Sequence, residues 1–322
     1  MTVVGTGSEV NGEGVITHEE QKIKTSRNYP RCNPVFAMMD PKYTYTVSPL
    51  QTAAGGFDML SHVMETYFSA PDEDNLSDAI SEALMRSIIA NLPVAIREPE
   101  NYEARSNLMW ASTMAEIGII KLGKQCDFEA HMIEHQMGAY TDCNHGMGLG
   151  VIHPAYYRRI CRDGIKKFVK FAVNVWGMSP DGGDEEELAF GGIDALQAFI
   201  HEIGLPGTLR ELGITDQSLL KTIADSCIRN DGGYRQLTHA EILDIFGRVL
   251  LVQRRKIMPH IAISMYPGRS REEKAALAEK VRTLVSEELK KDPKVVTVSV
   301  HDVPAEKWQE YLDAIPGEER FY

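Results

Sequence analysis

The chain has 322 residues, 25% of them charged and 43% hydrophobic, enough for one large domain or two to three ordinary ones and too apolar for a chain dominated by disorder. Lys and Arg total 34 against 46 Asp and Glu, a net charge of −12 with no long basic cluster, which argues against nucleic acid as a partner. No uninterrupted apolar run approaches the ~18 residues of a membrane span, and Glu9, Glu13, Glu19 and Glu20 stand where an export signal needs a basic start and an apolar stretch. A cytoplasmic chain without a membrane partner is expected. Five cysteines (Cys32, Cys126, Cys143, Cys161, Cys227) with no CxxC pair argue for reduced thiols and against a zinc ribbon.

The segments Thr2–Glu9 and Gly14–Thr17 read as mid-domain strands and turns with no capped element before them, so an upstream segment is expected. Val35–Met39 is an apolar run ending at Asp40-Pro41, which predicts a buried strand followed by a turn. Ser48-Pro49 is a helix start, and a long helical series follows to about residue 250. Ile80, Leu84, Ile88 and Leu92 repeat every fourth residue up to Pro93, where the helix is predicted to stop. Ile193, Leu196, Ile200 and Ile203 repeat similarly before Gly204 and Pro206, a C-terminal glycine followed by a breaker.

Past residue 252 the period changes to two: Ile261, Ile263 and Met265 alternate with polar or small residues. A turn at Pro267-Gly268, a helix carrying Leu277, Val281, Leu284 and Val285 on one face, and a strand at Val296, Val298 and Val300 complete a strand–helix–strand unit. So small a unit buries little apolar surface alone, which predicts reliance on a partner subunit or on the rest of the chain.

Ten histidines are present, and four of them (His131, His135, His145, His153) fall between residues 131 and 153. Asp58 and His62, and likewise His131 and His135, stand four apart, a spacing that puts both side chains on one helix face within reach of one ion. Asp58/His62 alone would be a common surface pair; the second cluster favours a site. Imidazole nitrogen with carboxylate oxygen suits Zn²⁺ or Fe²⁺ better than Mg²⁺ or Ca²⁺. His153, before Pro154, is equally readable as a satisfied core histidine.

The strings Gly5-Thr-Gly-Ser-Glu9, Asp40-Pro41, Gly55-Gly-Phe-Asp58 with His62, His131-Met-Ile-Glu-His135 and Asn144-His-Gly146 with Pro154, in that order, resemble the iron-containing (group III) alcohol dehydrogenases, in particular their butanol-dehydrogenase-like branch, over residues 2 to about 250. The resemblance implies metal ligands at Asp58, His62, His131 and His145, with Fe²⁺ or Zn²⁺ as the ion, and places His135 beside the nicotinamide and substrate. It puts Thr2, Thr6 and Lys24 at the NAD or NADP, positions whose plain reading is ordinary strand, turn and solvent polarity. A small alcohol or aldehyde is the implied substrate and a homo-oligomer the implied assembly. The implied architecture is mainly α: a remnant of an α/β dinucleotide-binding domain (residues 1–47), an all-helical metal-binding domain (48–252) and the small β-α-β unit (258–322).

The family's glycine-rich phosphate turn is absent: no GxGxxG stretch occurs, and Gly191-Gly192 follows no strand. Impaired cofactor binding is therefore expected, and at the limit a metal-binding relic without catalysis. The tail from Met258-Pro259 through Trp308 resembles 4-oxalocrotonate tautomerase-like proteins, in which an N-terminal proline is the general base. Pro259 matches that proline, Arg269 a substrate-binding arginine and Trp308 an aromatic that closes the pocket, while Thr297 replaces a second arginine. Inside a peptide bond the Pro259 nitrogen is a non-basic amide, so isomerase activity requires a chain that begins at Pro259.

Overall fold

A computed structural model describes residues 1–71, 74–180, 184–250, 260–288 and 296–309. The chain divides into two compact units, Met1–Val252 and Gln253–Tyr322.

In the first unit, residues 1–12 are turns, followed by an antiparallel hairpin of β1 (Glu13–His18) and β2 (Ile23–Asn28) with Glu13 opposite Asn28 and His18 opposite Ile23. The predicted strand at 35–39 is not formed: Val35, Phe36 and Met38 are exposed, Val35 almost completely, and the run pairs with no described strand. Without a ladder to satisfy its backbone, an apolar run has no reason to adopt a strand. Asp40 does begin a turn, its side chain accepting from Lys42 N at 3.0 Å over a short 3₁₀ helix, Pro41–Thr44.

The helical series starts with α1 (Pro49–Tyr67), capped by Ser48 with proline in its first turn. It continues through α2 (Leu76–Arg97), α3 (Tyr102–Glu116), α4 (Glu129–Thr141) and α5 (His145–Ile160). Then come α6 (Ile165–Lys170), which runs into a π turn at Phe171–Val175, α7 (Glu185–Glu202), α8 (Gln217–Ser226) and α9 (His239–Leu250). Pro93 lies inside α2 and does not stop it. The helix runs on to Arg97, and burial of Leu92 and Ala95 in the core on either side of the proline offsets the lost backbone bond. α2 is also long and apolar enough, by length and composition, to cross a membrane; here it packs on α1 and α3.

Helix α1 is the central element, packed against α2, α3 and α5. Two glycines permit its close contacts. A Cβ at Gly55 would stand 2.3 Å from the Val4 carbonyl oxygen, and one at Gly146 would stand 2.2 Å from that of Ala54. The start of α5 is thereby laid on α1, which sets His145 beside Asp58.

The second unit pairs β3 (His260–Met265) with β4 (Thr297–Asp302) in parallel, with α10 (Arg271–Glu288) between them in sequence. This is the strand–helix–strand order read from the sequence. Pro259 lies outside the described residues.

Candidate metal centre and cavity

Asp58 and His62 share one face of α1 because they are one turn apart, and α4 and α5 bring His131 and His145 to the same place. From Asp58 Oδ1, the Nε2 atoms of His62, His131 and His145 lie at 3.7, 3.7 and 3.4 Å. A tetrahedron with bonds of ~2.1 Å, as zinc makes to nitrogen and oxygen, has edges of about 3.4 Å, close to these separations from Asp58. Ligand atoms of Asp58, His62 and His131 lie within 4.8 Å of one another and could hold one ion, while His145 approaches the same carboxylate oxygen from α5. Asp58 Oδ1 and His131 Nε2 are buried without a hydrogen-bond partner, an arrangement that costs free energy unless something else satisfies them. The donor set, three imidazoles and one carboxylate, suits Fe²⁺ or Zn²⁺.

Three glutamates stand behind the imidazoles. His62 Nδ1 is 3.0 Å from Glu116 Oε1, while the Nδ1 atoms of His131 and His145 hydrogen-bond to Glu65 and Glu134. Such carboxylates leave the Nε2 lone pairs free to face an ion. Burial alone would lower His62 and His145, yet Glu116 and Asp58 hold the first, and Glu134 and Asp58 the second, up at about 9. Burial likewise opposes charge on Asp58, but His62, His131 and His145 keep its carboxyl well below the usual range. The field that draws protons onto these rings also favours a divalent cation.

His135 differs. Its ring centroid is 5.1 Å from that of His145, its Nδ1 is buried without a partner, and burial pushes it down to about 3, so it is neutral at pH 7. His153 is fully buried, its Nε2 2.5 Å from Ser61 Oγ, a core histidine as one reading had it.

The four converging residues and His135 open onto a cavity of about 430 Å³, walled also by Phe128 and Met132. Thr6, Ser8, Asn11 and Ser26, with Glu13, Glu116 and Lys121, add polar groups to its lining. Of the residues assigned to the dinucleotide, Thr6 lines this cavity; Thr2 is exposed and not in the lining, and Lys24 pairs with Glu134 at 3.4 Å. In the C-terminal unit, Arg269 is exposed and 3.7 Å from Glu273, and the Trp308 ring stacks obliquely on Tyr266 at 4.6 Å. Sequence reasoning missed Glu65, Glu116 and Glu134. Only Glu134 carried a signal, its place inside the His131–His135 string.

Residues 52–250 match the model of the Fe-containing alcohol dehydrogenase family, C-terminal part. The chain belongs to this family. It is 37% identical over 253 residues to NADH-dependent butanol dehydrogenase A of Clostridium acetobutylicum, covering 77% of this chain and 64% of that protein. Against the NADPH-dependent aldehyde reductase YqhD of Escherichia coli it is 32% identical over 252 residues, covering 77% of this chain and again 64% of the relative. A solved structure of NADH-dependent butanol dehydrogenase A from Thermotoga maritima superposes with a TM-score of 0.73 at 29% identity, over 78% of this chain and 65% of that one. The chain thus spans just under two thirds of the length of these relatives. Residues 259–311 match the tautomerase enzyme family model.

Proposed function

We propose that the helical unit is the metal-binding part of an oxidoreductase that moves a hydride between a nicotinamide, NAD or NADP, and a primary alcohol or aldehyde. The observation that carries this reading is the approach of His62, His131 and His145 to the buried Asp58 Oδ1, at 3.7, 3.7 and 3.4 Å, among residues that line a cavity. Asp58, His62, His131 and His145 would hold Fe²⁺ or Zn²⁺, which when bound would supply Lewis acidity, and a nicotinamide would supply the hydride chemistry. The chain's own residues do the rest. Phe128 and Met132 exclude water from one wall, and neutral His135 offers its unpartnered Nδ1 to a polar group of substrate or cofactor. Thr6, which lines the cavity, would contact the cofactor, as would Thr2 and Lys24, which are not among the lining residues. Residues 1–47 are read as the end of a dinucleotide-binding domain, residues 48–252 as the metal domain and 258–322 as a tautomerase-like unit, in a homo-oligomer.

The test is nicotinamide consumption with a short aldehyde by the Fe²⁺- or Zn²⁺-loaded chain. Metal-dependent turnover that vanishes in Asp58→Asn is expected. A chain that binds metal yet oxidises neither NADH nor NADPH would instead be a non-catalytic metal binder. A second reading, favoured by the tautomerase match and by the parallel β3–β4 pair, assigns keto–enol isomerase activity to a polypeptide starting at Pro259. It fails if that polypeptide is no faster than its Pro259→Ala variant.

A further inference from the structure

The three glutamates behind the imidazoles are not equivalent. Glu116 lies 3.5 Å from Lys121 Nζ and Glu134 lies 3.4 Å from Lys24 Nζ, so each shares its charge with an ammonium as well as an imidazole. Glu65 is wholly buried and has no lysine or arginine within ion-pair distance among the described residues. Its partners are of a different kind: Oε1 accepts from the backbone N–H groups of Ala130 at 2.7 Å and His131 at 3.3 Å, while Oε2 accepts from His131 Nδ1.

Those two N–H groups belong to the first turn of α4. A helix usually satisfies such donors with the side chain of its own capping residue, but Phe128 holds that position at φ +56° and has no oxygen to offer. Glu65, from α1, supplies the cap instead, and its charge is favoured at a helix N-terminus. One carboxylate therefore ties α1 to α4 and also fixes the ring of His131, whose Nε2 faces Asp58.

We propose that Glu65 is the positioning residue on which retention of the ion depends most, because it holds His131 in the tautomer whose Nε2 is free to ligate; this rests on the metal-site reading above. Glutamine at 65 still has an oxygen for the α4 cap, but it presents an amide N–H₂ to His131 Nδ1. That contact favours the proton on Nε2, the form that cannot bind a metal.

The experiment is Co²⁺ titration of the metal-free full chain, read by visible absorption and by competition with a chelator, for wild type, Glu65→Gln, Glu134→Gln, Glu116→Gln and Asp58→Asn. Glu65→Gln should lower Co²⁺ affinity by about 10- to 100-fold and shift the absorption bands, with smaller losses for Glu134→Gln and Glu116→Gln. Wild-type affinity and bands in Glu65→Gln, or a loss no larger than that of Glu116→Gln or of Glu134→Gln, would overturn the proposal. If Asp58→Asn also binds like wild type, the metal-site reading itself has failed; if only Asp58→Asn loses the ion, the site stands and the role of Glu65 falls. Should Glu65→Gln not fold, hydrogen exchange in the wild-type Zn²⁺ protein decides. The ring N–H of His131 should exchange more slowly than those of His62 and His145, and equal or faster exchange refutes the assignment.

Discussion

Helix α1 buries fourteen of its nineteen residues, whereas α10, eighteen residues long, buries Ser286 alone. The candidate residues follow the same division. His62, His131 and His145 are brought to within 3.4–3.7 Å of Asp58 Oδ1 by three packed helices and backed by three glutamates, while Arg269 pairs along its own helix and Trp308 rests on Tyr266. A helical scaffold with a deep core can hold unpaired donors in place against their desolvation cost; a strand–helix–strand unit with little burial leaves its polar side chains to nearby partners.

The largest test of this contrast lies away from the site. Lys167 is fully buried and its Nζ pairs with Asp78, which also accepts from Lys124 Nζ at 2.9 Å. Asp78→Asn takes the carboxylate from the buried Lys167 ammonium, while Lys124 Nζ keeps the Tyr67, Ser69 and Pro71 carbonyls, and the change should cost the helical unit about 3–5 kcal/mol in chemical denaturation. A loss below about 1 kcal/mol would show that this core is less demanding than its burial implies. Next in size is metal-linked stability. Fe²⁺ or Zn²⁺ at 100 times its dissociation constant should stabilise the helical unit by about 2.7 kcal/mol and leave unfolding of the C-terminal unit unshifted, followed by fluorescence of Trp110 and Trp176 against that of Trp308 in single-tryptophan variants. A shift in both would erase the distinction. Smallest is Arg269→Ala, which removes an exposed pair 3.7 Å long and should change stability by less than about 0.5 kcal/mol in the same measurement.

Local rules were readable from the residues alone. Ser48-Pro49 starts a helix, Gly204 ends one, and the four-residue spacing of Asp58 and His62 puts both on one face of α1. Where the outcome depends on what packs against a segment, the local signal misleads. Val35–Met39 has the composition of a buried strand but pairs with no described strand, and Pro93 is carried through α2 by burial on both sides. The site divides in the same way. His131 and His135 have the same spacing as Asp58 and His62, yet only His131 turns Nε2 toward Asp58, because Glu65 on another helix holds its ring. Glu65 and Glu116 read as ordinary acids in the sequence; they join the site only when α1, α3 and α4 pack together, a long-range event with no local signature.

The central claim, one ion held by one carboxylate and three imidazoles, is tested most directly by the equivalents of Fe²⁺ or Zn²⁺ bound per chain in Asp58→Asn, His62→Ala, His131→Ala, His145→Ala and His135→Ala. Wild type and His135→Ala should bind about one equivalent, and each of the other four should lose it under the same conditions. Full occupancy in the four, or loss in His135→Ala equal to theirs, would contradict the account.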